Sequence, residues 1–135
     1  QRGQFETFTF VPKTIGTTRG VTTENPVVKG GKAVGVTSCL VDGLTASTTN
    51  IMRAGDFFKF SGHNKVYMCT ADMTSDGSGD ATLSFAPKLS KAVVDNETIT
   101  INSVPFTVAF AGDVASYATN VTGYYSFDVE LVEVP

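Results

Sequence analysis

The sequence predicts an all-β domain, and three observations support that. Thr occurs 19 times, Val 17 and Phe ten, against five Leu, and branched and aromatic side chains fit a pleated surface better than a helix. Six short stretches read as strands, five of them by alternation at period two. No segment of about twelve residues carries a 3.6-residue repeat, which leaves at most one short turn of helix between Gly112 and Tyr117.

In chain order, Thr7-Phe8-Thr9-Phe10 places two Phe on one face. Ile15 to Lys32 is rich in Gly, Thr and Pro and reads as an extended N-terminal arm. In Asp56-Phe57-Phe58-Lys59-Phe60 the in-facing pair is Phe58 and Phe60. Ser61-Gly62-His63-Asn64 follows as a hairpin loop, since Gly and Asn tolerate positive φ. Lys65 to Thr70 is a strand with apolar groups on both faces, and Thr74 to Asp80 is a longer, mobile hairpin loop. Ala81, Leu83 and Phe85 alternate with Thr82 and Ser84, and Pro87 ends that strand. Lys88 to Asn96 connects it to a strand in which Ile99 and Ile101 alternate with Thr98 and Thr100. Tyr125, Phe127, Val129 and Leu131 form a closing strand whose alternation slips at Val132, as a bulge or two-sided burial would cause.

The expected organisation is one β domain over 1–135. Residues 1–50 supply the first strand, the arm and an entry strand, 51–110 a barrel-like meander of short antiparallel strands, and 111–135 a turn and the closing strand. Such a meander closes into a small barrel or sandwich, because an open one leaves two unpaired edges. Its expected core is Phe8, Phe10, Phe58, Phe60, Leu83, Phe85, Ile99, Ile101, Phe127 and Val129.

At 135 residues the chain has the size of one domain, and 41% apolar content is enough for a core. A net charge of -3 with scattered basic residues lacks the footprint of a nucleic-acid binder. No apolar run approaches the ~18 residues of a membrane helix. The chain opens on Gln1 with no Met and no signal peptide. That start fits a numbering convention, and it equally fits the C-terminal part of a longer protein.

The residues with chemical potential read as structural. His63 is the single histidine and is expected as a solvent-exposed turn residue, because no nearby group has metal-ligand spacing. Cys39 and Cys69 lie in strands, without a Cys-x-x-Cys pair, and behave as small hydrophobes. Asp72, Asp76 and Asp80 recur around Gly77 and Gly79, the oxygen-rich kind of loop that Ca²⁺ takes. Their spacing is not that of an EF-hand and no bidentate Glu follows, so they are weak metal candidates in a turn. Gly30-Gly31-Lys32 lacks the phosphate-loop spacing, and Asn96-Glu97-Thr98 and Asn120-Val121-Thr122 are short chance matches to a glycosylation acceptor. The sequence assigns no catalytic residue and no cofactor, and the expectation is a protein that is not an enzyme.

A pattern of a different kind runs from Met52 to Phe85. It reads Arg53-Ala54-Gly55-Asp56-Phe57-Phe58, then Lys65-Val66-Tyr67-Met68, then Thr70-Ala71-Asp72 and Ser75-Asp76-Gly77-Ser78-Gly79-Asp80 before Ala81-Thr82-Leu83. With Pro87, Ile99 to Phe106, Gly3 to Phe10, Arg19-Gly20 and the Tyr124 to Val134 strand, it resembles the distal-tail and tail-tip structural proteins of bacteriophages with long non-contractile tails. Members carry a further N-terminal half, and a polar stretch where this chain has apolar Phe106 to Ala111. The resemblance implies a virion structural protein of the phage tail, part of a distal tail or baseplate-hub ring, touching copies of itself and neighbouring tail proteins. A receptor- or carbohydrate-binding β-module at the virion tip is the alternative, as is a capsid or decoration protein. The absence of Trp, together with Tyr67 and Tyr125 falling in strands, weighs against a sugar-stacking platform.

Overall fold

The computed structural model describes residues 7–14, 16–21, 24–110 and 131–133. Among them are nine strands and no helix: β1 (Thr7–Phe10), β2 (Val27–Val28), β3 (Ser38–Asp42), β4 (Phe57–Phe60), β5 (Val66–Cys69), β6 (Ala81–Ala86), β7 (Ile99–Thr100), β8 (Phe106–Phe110) and β9 (Leu131–Glu133). Six of them form an antiparallel sheet in the order β2-β3-β6-β5-β4-β7. β4, β5 and β6 are the expected meander. β7 then returns to lie beside β4, which turns the meander into a Greek key. The two ends of the sheet meet, with Val27 bridged to Thr98. There Val28 N–H donates to the Glu97 carbonyl at 2.9 Å, and Ile99 N–H donates to the Pro26 carbonyl at 2.8 Å. The result is a nearly closed barrel.

Alternation drives the burial as expected. Phe58, Phe60, Leu83, Phe85, Ile99 and Ile101 all point into the barrel and are buried. At its centre the rings of Phe58, Phe60, Tyr67 and Phe85 lie 5.3 to 5.9 Å apart, mostly edge to face. Such pairs each add about 0.5–1.5 kcal/mol beyond the area they bury. Val28, Val41, Met52, Met73 and both cysteines complete the same core.

The remaining strands make a separate sheet, β1-β8-β9, and here the expected core needs correction. Phe8 and Phe10 are 40% and 38% exposed, because β1 pairs with β8 outside the barrel. Phe10 packs on Phe106, whose ring in turn meets Phe57 of β4 at 5.8 Å. Phe127, Val129 and the turn expected at 112–117 lie outside the described residues. β9, at the end of the expected closing strand, pairs with β8 and reaches the barrel through Glu133. That carboxylate holds Lys65 Nζ at 2.9 Å and accepts the Val66 N–H, and the neighbouring Val66 and Tyr67 are both buried, on opposite faces of β5.

Three further expectations change. The described residues of the expected arm, 16–21 and 24–32, are stitched to the barrel rather than extended as an arm. Val104 N–H donates to the Gly16 carbonyl at 2.7 Å, Thr18 N–H to Ile101 at 3.1 Å, and Lys32 and Val93 exchange both backbone bonds. Main-chain pairing holds it, a resource that a count of apolar side chains overlooks. The loop at 74–80 is likewise laced down: Ser75 is buried, and Ser47 N–H donates to the Asp76 carbonyl at 2.7 Å. His63 is also inside, with only 5% exposure, because its ring packs between Phe60 and Tyr67.

Candidate functional site

Two stretches far apart in sequence converge on the Asp56 carboxylate. β4 begins at Phe57, so Asp56 sits at the barrel rim, where its side chain is 1% exposed. Its Oδ2 accepts the Thr18 hydroxyl at 2.6 Å, Arg19 N–H at 3.0 Å and Arg53 N–H at 2.9 Å. Its Oδ1 accepts Arg19 Nε at 2.7 Å, while Arg19 Nη2 donates to the Ala54 carbonyl. Burial pushes the carboxyl pKa up, but the bonds from Thr18, Arg53 and Arg19 outweigh it and hold Asp56 below the usual carboxylate range. Beside it, Gly20 runs so close to the next segment that a Cβ would stand 1.8 Å from the Ile51 carbonyl oxygen. The Arg19-Gly20 pair and the Ala54-Gly55-Asp56 turn are therefore one clamp. Its lone pairs are taken up by backbone and side-chain donors, which makes it a fastening rather than an acid or base.

The three aspartates weighed for metal are also engaged in the fold. Asp72 Oδ1 accepts Ala54 N–H at 2.9 Å. Asp76 Oδ1 accepts Ser78 N–H at 2.8 Å and Asp80 N–H at 3.0 Å, and those backbone donors, that of Asp80 first, hold its pKa low. Asp80 pairs with Lys29 across the turn. Among the described residues no group of three or more His, Cys, Asp or Glu is placed to hold a metal ion.

Further residues go unsignalled in the sequence. The Ser75 hydroxyl donates to the Thr45 carbonyl at 2.6 Å and accepts Thr48 N–H at 2.9 Å, fixing the aspartate loop to its neighbour. Tyr67 Oη sits 3.1 Å from His63 Nδ1 and 2.9 Å from Ser90 Oγ, tying the hairpin at 61–65 to the connection at 88–96. Cys39 and Cys69 are free thiols inside the barrel. Burial pushes the Cys39 pKa up to about 11 and raises that of Cys69, which leaves neither poised as a nucleophile.

Against known families, residues 15–104 match the model described as the distal tail protein pb9, B domain. The chain belongs to that family. No curated protein matches it. The match begins and ends where the fold fastens itself, since the Gly16 carbonyl and Val104 N–H are bonded to each other. It takes in β2 to β7 and leaves β1, β8 and β9 outside. Membership in this distal tail family places the chain in the tail of a phage virion. The Asp56 clamp and the Ser75-anchored loop both lie within the residues matched to this distal tail B domain.

Proposed function

We propose that the chain is a structural subunit of the tail tip, repeated in a ring at the baseplate hub and bound to neighbouring tail proteins. The observation that carries this is the outer face of the barrel. Across β3, β6 and β5 the outward positions include Ser38, Leu40, Thr82, Ser84, Ala86 and Met68, uncharged residues with Leu40 paired to Thr82 and Met68 to Ala86, and the strip ends at Asp42 on β3. Depletion of charge is the compositional mark of an interface core, and a ring needs complementary surfaces rather than a pocket. The carboxylates at the Asp56 clamp and in the aspartate loop serve the fold, in keeping with a protein that is not an enzyme. The carbohydrate-binding alternative draws nothing from Tyr67, which is fully buried. Among the described residues no helix is long and apolar enough to cross a membrane.

Native mass spectrometry of the chain from dissociated tails tests this. The expected result is a ring oligomer accompanied by other tail proteins, and Leu40→Asp, at a half-exposed position, weakens it without lowering the unfolding midpoint. A monomer at every concentration that never copurifies with tails overturns it.

A further inference from the structure

The hairpin at 61–65 encloses an imidazole whose second nitrogen the fold leaves without a well-aligned partner. His63 is held on one side by Tyr67, with 3.1 Å between Nδ1 and Oη. Tyr67 Oη also accepts Ser90 N–H at 3.1 Å and lies 2.9 Å from Ser90 Oγ. On the other side, His63 Nε2 is buried and makes no well-aligned hydrogen bond, although the Ala92 backbone lies within bonding reach of the ring. Buried polar atoms in native folds are nearly always satisfied, so an orphan calls for an explanation. His63 also lines a cleft of about 180 Å³, together with Gly62, Asn64, Lys65, Ser90 and Lys91. That is room for several heavy atoms, given about 30 Å³ for one water. Two lysines, Lys65 and Lys91, are among its lining residues. Lys91 Nζ gives one bond to the Gly62 carbonyl at 2.8 Å and Lys65 Nζ one to Glu133 at 2.9 Å, and each ammonium carries three N–H.

We propose that this cleft binds an oxyanion, a carboxylate or a phosphate, with an oxygen accepting His63 Nε2–H and lying between the Lys65 and Lys91 ammonium groups. The hydrogen-bond network admits this in two protonation states. When Tyr67 donates to Nδ1, the neutral ring carries its proton on Nε2. When the ring is an imidazolium, Tyr67 Oη accepts Nδ1–H and turns its own proton to Ser90 Oγ. Both states present a donor at Nε2, and a bound anion favours the second by direct charge attraction. Other groups face the ring as well. Burial lowers its pKa, Glu97 and the Ala92 backbone raise it, and Lys91 lowers it. The Glu97 carboxylate lies next to Gly62 of the cleft, where it accepts Gly62 N–H at 2.8 Å and Val94 N–H at 3.1 Å.

The chain has one histidine, so a nuclear magnetic resonance titration of its imidazole is unambiguous. It is run on the full chain in chloride, in inorganic phosphate and in acetate at constant ionic strength. The expected result is an imidazole pKa about one unit higher in excess oxyanion than in chloride, the size of one favourable charge contact. Lys91→Met, which leaves the ring in place, removes at least about half of that rise. A rise with phosphate alone assigns the site to a free phosphate. A rise with acetate alone assigns it to a carboxylate, as an acidic side chain of a neighbouring tail protein would supply, and a rise with both supports the shared oxyanion chemistry. The same pKa in all three salts overturns the proposal, as does a Lys91→Met variant that keeps the full rise.

Discussion

Asp56 and Arg19 share an ion pair, but their surroundings make them unequal. The Arg19 side chain is 59% exposed, the Asp56 side chain 1%. Removing Arg19 therefore leaves a carboxylate that still accepts from Thr18 and Arg53, whereas removing Asp56 strands several part-buried donors at once. Asp56→Ala should cost about 3–5 kcal/mol and Arg19→Ala about 1 kcal/mol, measured by urea unfolding. Equal losses would mean that the pair, not the donor set, carries the clamp. The cysteines give a second residue-scale expectation. With both thiols buried and their pKa values raised, neither should react with a thiol reagent at neutral pH until the chain unfolds, and prompt labelling of the native protein would contradict the barrel interior. The cysteines were legible as small hydrophobes within strands, but the clamp was not. Arg19-Gly20 and Ala54-Gly55-Asp56 stand out as separate patterns, yet no periodicity links residues 37 apart. His63 was misplaced because turn chemistry describes the backbone of a hairpin and says nothing of what packs on its tip.

Among the elements, legibility followed burial. Strands with one face in the barrel, such as β4 and β6, alternate strictly and were read correctly. β1 alternates just as cleanly, but the pattern does not say which of two sheets receives its Phe side chains. The aspartate loop shows the same limit: its composition suggests mobility, while its hydrogen bonds run to residues 44–48. Gly79 is the pivot there, at φ +84, where a Cβ would stand 2.3 Å from the Leu44 carbonyl oxygen. Gly79→Ala should cost about 2 kcal/mol or more. Because Asp72, Asp76 and Asp80 already serve backbone and lysine partners, the unfolding midpoint should be the same in chelator and in excess Ca²⁺. A large rise with micromolar Ca²⁺ would show that the loop binds the ion.

For the whole molecule, acid should weaken the fold in two stages. The His63 pKa lies below its ordinary 6.5, so in chloride the unfolded chain takes up that proton first and stability declines as the pH falls below that value. The Asp56 pKa lies below 3.8. Its stabilising contribution is complete above that pH and is lost as the pH drops through the folded value. Thermal midpoints should fall as the pH drops below 6.5 and again as it drops below 3.8, with His63→Gln flattening the upper stage. A midpoint constant across the range would contradict both assignments. The fold that these groups stabilise is a barrel fastened at its own ends and carried by a second small sheet, in a family of phage distal tail proteins. Its motif residues hold architecture. Electron cryomicroscopy of the intact virion tests the proposed tail-tip ring most directly. The account predicts barrel density repeated around the axis at the distal end of the tail, with the Leu40-Thr82-Met68 face of β3, β6 and β5 turned toward a neighbour; density confined to the capsid, or absent from the particle, would contradict it.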